Sequence, residues 1–225
     1  MDKIIYNSFI DIILLIKEMN FLEFKKKIEK LPYFETKELR LVLGADFTNT
    51  TLINLKNWMN KDYLTMLRRG LYVLTETKNK IDTMAFATKI YSPSYISLET
   101  ALSFYGIIPE AVFTVTSVTT RKTKEFKTSF GNFSYQKIKQ EAFGGFETKR
   151  QDTISFNLAL PEKALVDFFY LNRNILNGER EQFSGYRFSE EFKFSAKRLL
   201  NFAKAFQNKK VLFLTQNFIQ YYVAK

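Results

Sequence analysis

Between residues 48 and 74, the apolar positions of TNTTLINLKNWMNKDYLTMLRRGLYVL change their spacing in mid-stretch, and few folds accommodate that change. Leu52, Leu55, Trp58 and Met59 recur every three or four residues, which places them on one face of a helix. Thr50, Asn54, Asn57 and Lys61 fall at i, i+4, i+7 and i+11 and share the opposite face. Downstream, the short apolar runs Tyr63 to Leu67 and Leu71 to Leu74 flank Arg68-Arg69-Gly70, as the arms of a hairpin flank its turn. A helix with a polar outer face therefore passes within a few residues into a hairpin tipped with arginine.

The residues before this stretch supply the rest of a domain. Residues 3 to 30 carry helical periodicity with a basic end, KKKIEK, and Pro32 breaks it. Thr36 caps a short helix that Gly44 stops, and Asp46 to Thr48 link it to the polar helix. Two helices a few residues apart followed by a hairpin predict a winged helix-turn-helix over residues 1–78. Asparagine and threonine both donate and accept hydrogen bonds, as reading base edges in a major groove requires. Thr50, Thr51, Asn54 and Asn57 are the candidates for base edges. Lys56 and Lys61 suit phosphates, because a flexible ammonium carries little sequence information. Arg68 and Arg69 suit a minor groove or a phosphate clamp, since a turn needs Gly70 but not two arginines. An exposed helix in an Asn-rich protein would look similar; the hairpin behind it favours DNA.

Charge agrees with an anionic partner. Lys and Arg total 34 against 23 Asp and Glu, a formal +11 with a pI near 9.6. A lysine-rich surface in an AT-biased genome would give the same surplus. The chain has no cysteine and no histidine, which excludes disulfides, thiol nucleophiles and every His-based acid, base or metal ligand. The lack of disulfides suits a cytoplasmic protein. The apolar run IDIILLI near the N-terminus is broken by Asp11 and Lys17 and is too short to span a bilayer, so neither a signal peptide nor a membrane partner is expected.

Glu76 to Lys80 is polar and turn-like and marks a boundary, with a second domain over residues 79–225. Ile81 to Tyr91 and Ser94 to Tyr105 read as helices split by Pro93 and ended by Gly106. FTVTSVT, KEFKTSF, NFSYQKI, FGGFETK and TISFNLA then alternate with period two, predicting an antiparallel sheet. Pro161 opens a helix, PEKALVDFFYL, and two amphipathic helices follow around AKRLLNFAKAF and VLFLTQNFIQYY. The fold class expected is α+β, with an N-terminal winged helix-turn-helix and a C-terminal domain of helices on an antiparallel sheet. Arg121, Lys122 and Lys124, with Tyr135 and Lys137 on a neighbouring strand, form a basic strip suited to DNA phosphate, RNA or a nucleotide, or simply to keeping a sheet edge unpaired. Glu162, Lys163 and Asp167 invite a nuclease reading, but Lys163 directly follows Glu162, the wrong spacing for a metal-dependent restriction-type site. Glu162 and Lys163 are expected instead to cap and solvate the helix. No catalytic residue, metal site or cofactor is expected.

Four ordered segments carry a resemblance: PSYISLETALSFYGIIPE (93–110), TSVTTRKTKEF (116–126), FGNFSY (130–135) and PEKALVDFFYLN (161–172), with the RRGLY hairpin ahead of them. Together they resemble the AbiEi family of antitoxins over most of residues 36–172. The resemblance implies a bacterial type IV toxin–antitoxin operon. Its antitoxin would repress its own promoter through an N-terminal winged helix, at inverted repeats and as a homodimer on DNA. The second domain would counter a nucleotidyltransferase-like toxin without binding it stably. A stand-alone DNA-binding regulator without a toxin, and a protein- or RNA-binding assembly module, are the alternatives.

Overall fold

The computed structural model describes residues 19–189 and 191–223 of a mixed α+β chain. The chain divides into two units, Met1–Thr77 and Lys78–Lys225. Of the helix expected over residues 3 to 28, the part before residue 19 lies outside the described residues.

In the first unit, α1 (Phe21–Ile28) starts at Asn20, whose side chain accepts the Glu23 N–H at 3.0 Å. It leads through β1 (Phe34–Glu35) into α2 (Thr36–Leu43). Thr36 is the first helical residue of α2 and Glu35 its cap: the Glu38 carboxylate reaches back to the Glu35 N–H at 2.8 Å. Gly44 stops α2 at φ 55°, and α3 (Asn49–Asn60) follows. The hairpin of β2 (Leu64–Arg68) and β3 (Leu71–Leu74) turns at Gly70, whose φ of 80° is the left-handed region that favours glycine. With β1 it makes an antiparallel sheet of order β1-β3-β2. Phe24, Ile28, Phe34, Leu39, Leu55, Trp58 and Leu64 are buried together between helices and sheet.

The second unit opens with a 3-10 turn (Thr83–Phe86) and one turn of helix, α4 (Ala87–Ile90), where a longer helix was expected. The next segment corrects the sequence reading more sharply. Ser94–Ile96 is not the start of a helix but a strand, β4, and only Leu98–Phe104 (α5) is helical. Tyr95 and Ile96 are wholly buried, and β4 lies inside the sheet with a neighbour on each side. Three consecutive buried residues there show no alternation to read.

Strands β5 (Thr114–Thr119), β6 (Lys124–Thr128), β7 (Gly131–Lys137), β8 (Phe146–Gln151) and β9 (Ile154–Ala159) complete a six-stranded sheet of order β6-β7-β5-β4-β9-β8. The sheet is mixed, not antiparallel as expected: β5 runs parallel to β7 and β4 parallel to β9. Alternation reports which face a residue takes but not which way the neighbouring strand runs. Helix α6 (Pro161–Leu171) has Pro161 in its first turn and is buried on most of its circumference, packed on α5, β9, α8 (Ala196–Ala205) and α9 (Lys209–Val223). A short helix, α7 (Arg180–Gly185), brings Phe183 into the aromatic cluster of Phe169 and Phe218.

Candidate nucleic-acid interface

The rotation of α3 about its axis decides which side chains it offers. Trp58 is its largest residue and turns inward, its ring 4.5 Å from that of Phe24 and 5.5 Å from that of Phe21. Leu55 and Thr51, one and two turns earlier, follow it into the interior. The buried stripe is therefore Thr51, Leu55 and Trp58, with Met59 half-buried and Leu52 44 % exposed. Relative to the face expected from spacing, the helix is turned by roughly 40°, less than half the ~100° step between residues. The outermost residues are Ile53, Lys56, Asn57 and Asn60; Lys61 is also exposed, while Thr50 and Asn54 are half-buried on one shoulder.

Thr51 is the correction this rotation forces. It is buried, its hydroxyl oxygen accepts the Thr48 N–H at 3.0 Å, and the hydroxyl lies 3.4 Å from the Asp46 carbonyl. It ties the link between α2 and α3 to the first turn of α3 and cannot reach a base. Ile53, 61 % exposed among asparagines, is a surface feature that spacing alone did not single out.

At the hairpin tip the two arginines separate. Arg68 is half-buried, and its guanidinium donates to the Glu35 carboxylate at 2.7 Å and to the Arg69 carbonyl at 3.0 Å. Glu35 also holds Lys37 at 3.0 Å. Burial pushes the Glu35 carboxyl up, but the hydrogen bond and charge of Lys37 and the charge of Arg68 outweigh it and hold the group below its ordinary value. Arg68 thus straps the tip to β1, beside the Thr36 N–H to Gly70 carbonyl bond of 3.0 Å. Arg69 is exposed and has no ion-pair partner among the described residues. Tyr72 stacks on Phe34 at 5.6 Å and packs inward.

In the second unit the expected basic strip exists without one member. Arg121 lies over the Tyr91 ring at 4.6 Å and donates to the Ser92 carbonyl at 3.0 Å. Lys124 lies over Phe126 at 4.8 Å, and Lys122 and Lys137 are exposed beside them. Tyr135 does not belong to this surface. It is wholly buried, donates to the Ala87 carbonyl at 2.6 Å, and packs beneath Tyr91 and Phe126. Burial alone pushes its hydroxyl far above the ordinary tyrosine value.

The acid–base residues of α6 are also placed differently from expectation. Glu162 and Lys163 are not solvated: both are buried, as is Asp167. Lys163 pairs with Asp167, whose second oxygen accepts the Ser97 hydroxyl at 2.8 Å and the Tyr95 hydroxyl at 3.0 Å. Glu162 accepts the Ser195 N–H at 3.0 Å and Arg198 at 3.1 Å, so it caps α8 and not its own helix. Burial pushes the Asp167 carboxyl and the Tyr95 hydroxyl up and the Lys163 ammonium down. The signal that would have revealed this cluster is a charge pair at i, i+4 inside the otherwise apolar KALVDFF stretch. Four polar side chains satisfying one another inside a core hold β4 against α6; they offer no surface to a substrate.

Among the described residues, no helix is long and apolar enough to cross a membrane. Compared with known proteins, the chain matches no family model and no curated protein.

Proposed function

We propose that the chain is a DNA-binding transcriptional repressor whose first unit is a winged helix-turn-helix. One observation carries this reading: α3 turns Lys56, Asn57 and Lys61 outward, and the hairpin that follows it ends in the exposed Arg69. The element order of helix, strand, two helices and hairpin, with the short β1 strand paired to β3, supports it. In that reading α3 enters the major groove with Asn57 and the half-buried Asn54 at base edges. Lys56, Lys61 and Arg69 take phosphates.

The antitoxin role rests on the ordered segments of residues 93–172. The protein represses its own promoter at inverted repeats, as a homodimer on DNA, and counters a nucleotidyltransferase-like toxin without a stable complex. It works without catalysis, since the Lys163–Asp167 cluster is enclosed. The cations Arg121 and Lys124 over an aromatic floor, with Lys122 and Lys137 exposed, favour a second reading, an RNA-binding module.

Fluorescence anisotropy with the duplex upstream of the gene, a random duplex and a single-stranded RNA separates these readings. The repressor prefers its promoter duplex, with a slope of log affinity against log salt of about −3 per protomer for three phosphate contacts. Equal binding to the random duplex overturns the repressor reading, and preferential binding of RNA installs the second. Coexpression with the neighbouring reading frame tests the antitoxin role: toxicity unaffected by the chain removes it.

A further inference from the structure

The second unit contains a cavity of about 520 Å³ whose charge runs against that of the chain. It opens between the start of α5, the segment that leads into β5, and the turn after α7. Its walls are mostly apolar, aliphatic at Leu102, Ile108 and Val112 and aromatic on the other side. Phe168, Tyr186 and Phe188 pack edge and face on one another at 5.1 to 6.2 Å between centroids, and Phe113, 90 % exposed, stands at the mouth. Two carboxylates, Glu99 and Glu110, complete the lining, and none of its described residues is a lysine or arginine, in a chain with 34 of them. Glu110 is engaged with Arg187 at the rim. Glu99 has no ion-pair partner among the described residues.

We infer that this cavity binds an organic cation, an ammonium or quaternary ammonium group carrying an apolar or aromatic substituent. The volume lies within the range of small-molecule sites, which are mostly apolar with a few placed polar groups. Ring faces attract a desolvated cation through their quadrupole, and a cage of several rings beside a carboxylate is how proteins recognise substituted ammonium groups. A neutral aromatic ligand would use the walls but leave Glu99 without a partner. An anion would face the Glu99 carboxylate. Phe113, with most of its surface in solvent, is placed to cover a bound ligand and shed that exposure. This site is independent of DNA binding by the first unit.

The test uses the full chain and three probes of similar size: benzyltrimethylammonium, benzyl alcohol and benzoate, followed by titration calorimetry and thermal shift. The cation binds at least about tenfold more tightly than the neutral probe, a difference of about 1.4 kcal/mol, and benzoate does not bind. Glu99→Gln removes that preference while the neutral probe binds as before, and Phe113→Ala weakens both. Glu99 and Phe113 lie outside the buried core, and circular dichroism of each variant verifies its fold. Equal binding of all three probes, no binding of the cation, or an unchanged preference in a folded Glu99→Gln chain overturns the inference.

Discussion

Replacing the two arginines of the hairpin one at a time separates DNA contact from architecture. Arg69 is exposed without an ion-pair partner among the described residues, so on the DNA-binding reading proposed above Arg69→Ala removes one phosphate contact and little else. A lost contact lowers the salt slope by about 0.9, and at about 0.1 M salt the same counterion-release term is worth about eightfold in affinity. If two protomers bind, both figures double on a logarithmic scale. Arg68 sits 2.7 Å from Glu35, with side-chain exposures of 30 % and 22 %. Arg68→Ala therefore costs about 1 kcal/mol of stability, the upper end for a partly exposed pair, and leaves the salt slope within error of the parent. The assay is anisotropy against the promoter duplex over a series of salt concentrations, with urea denaturation of each variant alongside. An Arg69→Ala slope equal to the parent's would refute the placement of the hairpin tip on DNA. An Arg68→Ala slope as shallow as that of Arg69→Ala would refute the assignment of Arg68 to the strap on Glu35.

Three further predictions test other parts of the molecule. Thr51→Val loses the hydrogen bonds at the start of α3 and costs about 1 kcal/mol of stability without relaxing base preference, whereas Asn57→Ala relaxes the preference and spares stability; urea denaturation and binding to point-substituted duplexes read the two effects. Asp167→Ala strands Lys163, Tyr95 and Ser97 inside the core and costs about 3–5 kcal/mol, while the paired replacement Lys163→Met with Asp167→Leu costs less, because it leaves no buried charge and only the Tyr95 and Ser97 hydroxyls lose their acceptor. Additive single-variant costs in urea would contradict that coupling. The lowered Glu35 carboxyl contributes stability that is fully present above its ordinary value of 4.5 and lost as pH falls through the lower folded-state value. Parent and Glu35→Gln stabilities should thus converge as pH falls below 4.5, and a gap that stays constant on acidification would show that the pair does not titrate as described.

Much of the chain can be read locally. The helix at α3, the hairpin turning at Gly70, the Pro161 start of α6 and the five alternating strands all depend on neighbours within a few residues, and periodicity with Gly and Pro punctuation reports those directly. The candidate site is less legible. Asn57, Lys56, Lys61 and Arg69 lie outward, but Thr51 and Tyr135 are interior residues that share their chemistry with surface ones. Each is buried because its hydroxyl finds a backbone partner, Thr48 and Asp46 for one and Ala87 for the other. Such partners leave no trace in spacing. Arg68 is drawn from the surface by Glu35, 33 residues away.

The sequence by itself determined the α+β class, the positions of the helix and hairpin that carry the basic surface, and the absence of histidine and cysteine chemistry. These follow from side-chain identity and short-range periodicity. Tertiary structure decided the rotation of α3, because the best fit for Trp58 against Phe24 and Phe21 sets which of its neighbours face out. It also decided that Ser94–Ile96 is an inner strand, that β5 and β7 run parallel, and that Lys163 and Asp167 meet Tyr95 and Ser97 in the core. Each of these joins residues far apart in the chain, and their energies exist only once the chain has closed on itself.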